Sequence, residues 1–364
     1  MNSCVTIFAY NRLNGRMPRA KTGTASRKHL TTLTDVARTA GVSPMTVSRV
    51  VNDNGYVSSE LRRKVQRVIE KLRYSPNRLA RSLKGTPTNV IGVLLPDLEN
   101  PFSSELARGI EEVLSSQGFH AFVISASRNR KREEAALRAF SDHRVEGAIL
   151  AAPCAHLDPQ VIVQVARERF PVVVVGSDFE GDRIDHVTAR CREGGFAATA
   201  HLIESGRRRI AYIGANLDEK QPLMRFGGYM DALDEYGIGA DPSLIIALPP
   251  ALTWCSHRDG YDHMKRLLEL PEPPDAVFTR NDFAALGALC ALNEMGVKVP
   301  DDIAIVGFDN ISASAYTAPP LTTVNQFVFD QGRASARVLL DRISGRRRKS
   351  HEEQFPCELI VRKS

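Results

Sequence analysis

Thr32 to Val51 (TLTDVARTAGVSPMTVSRVV) constrains the fold more than any other stretch of this chain. It spells two short helices and the turn between them. The Thr32 hydroxyl can cap the first helix, and Asp35 three positions on completes a capping box. Leu33, Val36, Ala37 and Ala40 recur at i, i+3, i+4 and i+7, the apolar stripe of a helix with one buried side. Gly41 supplies the positive φ that ends a helix. Ser43 caps the second helix, and Pro44 suits its first position, where no N–H is needed. Val47, Val50 and Val51 then face inward, and Met45, Thr46 and Arg49 lie on the opposite face. On these residues alone the pair is either a bare amphipathic hairpin or a helix-turn-helix whose second helix enters the DNA major groove.

Two further features favour the DNA-binding reading. A third helix follows, with Ser58 as cap and Leu61, Val65, Val68, Ile69 and Leu72 at helical spacing. The charge is also segregated. Residues 1–86 hold 17 Lys/Arg and 4 Asp/Glu, or +13, and the remainder holds 31 and 38, or −7. A basic head on a mildly acidic body is expected when only the head meets a polyanion.

A length of 364 residues predicts two or three domains, and 43% hydrophobic residues suffice for a real core. No apolar run approaches the length of a membrane span, and Val5 to Tyr10 is too short for a signal-peptide core. The six cysteines (Cys4, Cys154, Cys191, Cys255, Cys290, Cys357) are scattered without a CxxC pair. They read as reduced thiols of a cytoplasmic protein, with no disulfide frame, zinc site or cofactor called for.

Residues 1–28 are polar, basic and without periodicity, a disordered arm. Either translation starts at Met17 and the arm is shorter, or Arg12, Arg16, Arg19, Lys21, Arg27 and Lys28 add phosphate contacts. Residues 30–74 form the helical head. Residues 75–88 carry a short helix candidate, begun by Pro76 and ended by Gly85, too poor in apolar residues to stand alone. Residues 89–364 form the body. There the pattern changes to short apolar strands (Val90–Leu95, His120–Ser125, Gly147–Ala151, Val172–Val175, Arg209–Ile213, Ala276–Thr279, Ile303–Val306) separated by amphipathic helices such as Phe102–Ser116 and Asn281–Met295. That is the signature of parallel sheets covered on both faces. The body is too long for one such sheet. It predicts an α/β core of two lobes, the second opening near Cys191 to Gly206, with a ligand cleft at the strands' carboxyl ends. Gln354–Val361 reads as a last strand.

The whole pattern resembles the LacI family of bacterial transcription repressors. The carrying motifs are LTDVARTAGVSPMTVSRVVN, VSSELRRKVQRVIEKLRYSPNRLARSL, VIGVLLPDLENPF, GAILAAP, RRIAYIGA, RNDFAALGA, VPDDIAIVGFDN and PPLTTVNQ. The resemblance implies a dimeric repressor of carbohydrate genes on a palindromic operator, with a hinge helix and a two-lobed effector domain like the periplasmic sugar-binding proteins. It places Thr46, Ser48 and Arg49 on the recognition helix. Pro44 and Met45 fall at the positions that chiefly vary operator choice. Neither can make the bidentate bonds that read G or A, although Met45 can touch a thymine methyl. Asn77, Arg78 and Arg81 fall in the hinge, and Leu83 matches the leucine that wedges into the minor groove.

The resemblance also implies an effector site at Arg225, Asn281, Asp309 and Gln326, with Asn100 and Phe102 on the first lobe. Asp282 reads as a helix cap, and Trp254, the only tryptophan, as either a stacking wall or a core residue. Many sugar-binding relatives place an Asp directly after the strand matching Val172–Val175. Here Gly176-Ser177 stands there and Asp178 follows, which makes a sugar acid as tolerable as a neutral sugar. Closure across Phe102 and Asn281 or Asp309 would move the first lobes of the dimer and so order or melt the hinge.

An enzyme is disfavoured, since no GxGxxG opens a helix after a strand and no GxxxxGK[ST] is present. His257, Asp259, Asp262 and His263 read as solvated surface rather than a metal set. No leucine heptad closes the chain, so a dimer is expected rather than a coiled-coil tetramer.

Overall fold

The computed structural model describes residues 31–74, 87–126, 130–151, 170–176, 184–215, 220–248, 255–347 and 349–364. The basic arm, the hinge residues Asn77, Arg78, Arg81 and Leu83, and Trp254 and Asp178 lie outside them. A helical head and a two-sheet body are separate compact units.

The head consists of α1 (Leu33–Ala40), α2 (Pro44–Asn52) and α3 (Ser59–Leu72). Its caps are those that the residue types dictate. The Asp35 N–H donates to Thr32 Oγ1 at 3.3 Å, and the Thr32 N–H donates back to the Asp35 carboxylate at 2.9 Å. Gly41 sits at φ 65° and closes α1. Ser43 Oγ accepts from the Thr46 N–H at 3.1 Å with Pro44 in the first turn. Val36, Ala37, Ala40, Val47, Val50 and Val65 close a small core.

The body is built on two six-stranded sheets. The first runs in the order β11-β5-β4-β3-β1-β2, from β1 (Val90–Leu95), β2 (His120–Ser125), β3 (Ala148–Ala151), β4 (Val172–Val175), β5 (Ile184–Ala189) and β11 (Glu352–Phe355). The second runs β12-β10-β9-β8-β6-β7, from β6 (Ile210–Ala215), β7 (Ile245–Ala247), β8 (Ala276–Thr279), β9 (Ala304–Phe308), β10 (Thr322–Asn325) and β12 (Glu358–Ile360). Pairing is parallel except between β10 and β12. The expected last strand Gln354–Val361 is corrected. Pro356 and Cys357 interrupt it, and its two halves join different sheets.

Helices cover both sheets. On the first lie α4 (Pro101–Ser116) and α5 (Arg130–Asp142); on the second lie α6 (Cys191–Glu204), α7 (Lys220–Glu235), α8 (His257–Leu268) and α9 (Asp282–Glu294). The late helix α10 (Val328–Ile343) returns to the first lobe and packs on α4. The chain therefore crosses between lobes three times, at Arg190, at Gln326-Phe327 and at Pro356-Cys357. The second lobe does open at Cys191.

Three helix pairs approach backbone to backbone through glycines: Gly109 with Gly332, Gly195 with Gly228, and Gly260 with Gly287. A Cβ at Gly195 would lie 2.2 Å from the Arg225 carbonyl oxygen, and one at Gly228 would lie 2.0 Å from that of Arg192. No side chain fits these seams, so the α6–α7 contact fixes where Arg225 stands.

A DNA-reading face and a cleft between two lobes

On the head, Pro44 and Arg49 are exposed and Met45 is 65% exposed. Thr46 and Ser48 are half-buried, because each hydroxyl is engaged locally. The Thr46 hydroxyl lies 2.9 Å from that of Ser43, and Ser48 Oγ accepts from Asn52 Nδ2 at 3.1 Å. The stem of Arg49 runs over Gly55, where an added Cβ would meet it at 3.5 Å. Tyr56, which sequence reasoning passed over, is 89% exposed in the α2–α3 loop. A lone aromatic in a polar loop was the available signal, since nothing apolar nearby could bury it.

In the body, a cleft of about 560 Å³ lies where the carboxyl ends of β1 and β9 face each other. Phe102, Ser104 and Glu105 of α4 line one side; Asp309, Asn310 and Ser312 line the other. Asn325, Phe327 and Phe329 of the second crossing close its floor. Gln326 of this crossing was expected at the site, but Asn325, Phe327 and Phe329 were not, because their place depends on how the chain passes between lobes.

Asp309 lines the cleft, and a connected polar network stands behind it; the predicted site residues Arg225 and Gln326 belong to that network and not to the lining. Arg225 Nη1 stands 3.5 Å from Asp309 Oδ1 and donates to the Arg280 carbonyl at 2.7 Å. Its guanidinium lies over the Phe308 ring, 3.9 Å from the centroid, a cation–π contact. Gln326 Nε2 donates to Asp309 Oδ1 at 2.5 Å, and Gln331 holds the Gln326 carbonyl at 2.6 Å. Asp309 adopts φ 117°, a strained backbone for a non-glycine residue, just past β9. Burial pushes its carboxyl up to about 7; Arg225 opposes that rise, and the neighbouring Asp282 adds to it.

Arg225 lies inside α7 rather than at a loop–helix junction. Asn281 is buried and does not line the cleft. Its Oδ1 accepts from the Ala284 N–H at 2.8 Å, capping α9, and its Nδ2 donates to the Cys255 carbonyl at 3.1 Å. The reading of Asp282 as the cap is therefore corrected. Asp282 is wholly buried and accepts from the Ile311 N–H at 2.9 Å, the Ser314 hydroxyl at 2.6 Å and the Thr323 hydroxyl at 2.5 Å. It anchors the loop that carries Asp309, and burial raises its pKa against those bonds.

Behind the first-lobe wall, Asn100 and Ser103 are fully buried and do not line the cleft, and their polar groups are less fully paired. Asn100 Oδ1 accepts from the Phe102 N–H at 2.8 Å and caps α4. Its Nδ2 and the neighbouring Ser103 hydroxyl are buried with no hydrogen-bond partner among the described residues. Among the described residues no group of His, Cys, Asp and Glu could hold a metal ion, and no helix is long and apolar enough to cross a membrane. The expected surface set on α8 is a capping box (Ser256–Asp259) and an Arg258–Asp262 ion pair at 2.8 Å.

Comparisons with known proteins agree with this anatomy. Residues 32–77 match the model of bacterial regulatory proteins, lacI family, and residues 199–364 match the periplasmic binding protein-like domain. The HTH-type transcriptional repressor PurR of Histophilus somni (strain 129Pt) is 35% identical over 338 residues, 92% of this chain and 99% of the relative. The HTH-type transcriptional regulator DegA of Bacillus subtilis (strain 168) is 36% identical over 338 residues, 92% and 98% of the two chains. The lac repressor dimer bound to operator and the anti-inducer ONPF aligns with TM-score 0.77 and 29% identity, over 92% of this chain and 98% of that one. The CelR–cellobiose complex aligns with TM-score 0.68 and 31% identity, over 92% and 99%. Head and cleft together define a DNA-binding transcriptional regulator with a ligand-binding body. The chain belongs to the LacI family.

Proposed function

We propose that this regulator is a cytoplasmic repressor of carbohydrate genes. It binds a palindromic operator as a homodimer and responds to a small sugar or sugar acid in the cleft between its lobes. The carrying observation is a cleft in which Asp309, bound from behind by Arg225 and Gln326, faces Phe102. Carboxylate, guanidinium and amide groups suit the alternating donors and acceptors of a polyol, and a ring face suits its C–H side. Relatives of known structure hold cellobiose and ribose. On the head, Met45, Thr46, Ser48 and Arg49 supply base and phosphate contacts, Pro44 sets the helix start, and the exposed Tyr56 hydroxyl is placed to donate to a phosphate. Asn77, Arg78, Arg81 and Leu83 form the hinge contacts, and Trp254 and Asn100 complete the effector set. Asn281 acts by positioning α9.

A second reading, a planar heterocycle such as a nucleobase, is favoured by Phe102, Phe327 and Phe329 around one cleft. Thermal unfolding against neutral sugars, sugar acids and nucleobases separates the two. A ligand at roughly a hundred times its dissociation constant adds about 2.7 kcal/mol, a rise of roughly 5–10 °C. A response from the nucleobases alone would replace the carbohydrate reading. DNA retention on a column should fall steeply with salt, as phosphate neutralisation requires; salt-independent retention would count against the head as the DNA-binding part.

A further inference from the structure

Two of the three lobe crossings carry a cysteine, and the fold brings these cysteines together. Cys191 opens α6 directly after the first crossing, and Cys357 lies on the third, between β11 and β12. The backbone fixes the meeting, with the Arg190 N–H donating to the Phe355 carbonyl at 2.9 Å. Cys191 belongs to the buried core of the second lobe, and Cys357 packs against that core. On one side Gly194 holds Cys357 in place, since a Cβ there would come within 2.8 Å of the Cys357 Cβ. On the other, the positive charge of Arg225 bears on Cys191.

These surroundings favour a thiolate at Cys191. The neighbouring Cys357 thiol lowers the pKa of Cys191, against the opposing effect of burial, and the positive charge of Arg225 adds to the lowering. The N–H groups at the start of α6 act in the same sense. Cys191 is buried, yet it lines a recess of about 480 Å³ together with Arg190, Arg192, Glu193 and Met224. A small oxidant has a way in. The exposed Cys290 has no such neighbours among the described residues.

We propose that Cys191 and Cys357 form a peroxide-sensitive dithiol that couples oxidation to the cleft through Arg225. The Cys191 thiolate attacks one oxygen of a hydroperoxide such as hydrogen peroxide. The S–O bond forms as the O–O bond breaks, and hydroxide leaves and takes a proton to become water. The Cys357 thiol then attacks Sγ of the Cys191 sulfenic acid, the S–S bond forms, and the hydroxyl departs with the thiol proton as a second water. The dithiol loses two electrons and two protons to one peroxide. The product joins two crossings covalently and removes the thiolate from Arg225, whose remaining anionic neighbour is then Asp309. The chemistry rests on the thiols and not on the effector's identity.

The test uses the reduced full-length chain, exposed to hydrogen peroxide, alkylated, digested without reductant and mapped by mass spectrometry. The expected product is a Cys191–Cys357 linked peptide, reversed by dithiothreitol. The Cys357→Ser protein should instead hold a sulfenic acid at Cys191, trapped by dimedone, which keeps the test open should Cys191→Ser fail to fold. Oxidation should shift the melting temperature of the unaltered protein by several degrees and leave Cys357→Ser unmoved. A linkage that forms only in denaturant, oxidation confined to Cys290, or a linked protein whose melting does not change would overturn the proposal.

Discussion

The polar layers behind the two walls of the cleft are built on opposite plans. On the second lobe, the polar groups of Arg225, Asp309, Gln326 and Asp282 bond to one another or to backbone before any ligand arrives. On the first lobe, Asn100 Nδ2 and Ser103 Oγ are buried without hydrogen-bond partners among the described residues. The second wall is preorganised, so a ligand meets fixed dipoles and little ordering entropy is lost there. The first wall holds unmet hydrogen-bonding capacity, which a buried polar group normally relinquishes only at a cost. Such a pairing assigns recognition to one lobe and the incentive to close to the other.

The largest effect should come from breaking the complete wall. Asp282→Ala leaves the Ile311 N–H and the Ser314 and Thr323 hydroxyls buried without an acceptor, a loss of about 3–5 kcal/mol visible in urea unfolding. Arg225→Ala should weaken effector binding by roughly 30- to 150-fold (about 2–3 kcal/mol) in calorimetric titration, while unliganded DNA binding holds.

The pH dependence is next. Asp309 titrates near 7 in the folded chain and near 3.8 unfolded. Its contribution to stability is therefore full below the lower value and is lost as pH rises through the upper one. Below pH 7 protonation of Asp309 removes one of the negative charges beside Arg225. Affinity for an acidic effector should then rise about tenfold from pH 8 to pH 6, and that for a neutral sugar should not. Asp309→Asn should flatten the profile.

The smallest effect tests the open wall. Ser103→Ala removes a hydroxyl that has no hydrogen-bond partner among the described residues, so stability should change by less than about 0.5 kcal/mol. Ser314→Ala, the same substitution in the satisfied network, should cost about 1.5–3 kcal/mol. Equal losses in thermal melts would erase the distinction between the walls.

What the sequence made legible follows from how local each determinant is. The head was readable to the residue, because Thr32, Asp35, Gly41 and Ser43 act on atoms within four positions. The buried strands were readable as apolar runs such as Val172–Val175. Strand β5 (IDHVTA) was not, because the Asp185 carboxylate that breaks its pattern is paired by Arg342 at 2.5 Å, far along the chain. Strands β10 (TTVN) and β11 (EEQF) likewise hide among polar residues. One uses its threonines on Asp282 and on backbone, and the other is a half-exposed edge. Of the cleft, Arg225, Asp309 and Gln326 came through the family's motifs. Asp282's anchoring role and the Cys191–Cys357 meeting depend on long-range contacts that no spacing rule encodes.

The glycine seams have a mechanical consequence. Helices that touch backbone to backbone have no side-chain cushion to slide on, so α6 with α7, α8 with α9 and α4 with α10 move as plates. Freedom between the lobes is thereby confined to three short tethers at Arg190, Gln326-Phe327 and Pro356-Cys357. Three tethers side by side permit opening about one axis and resist twist about the others. A displacement at Arg225 is thus delivered undiminished across its plate rather than absorbed within it.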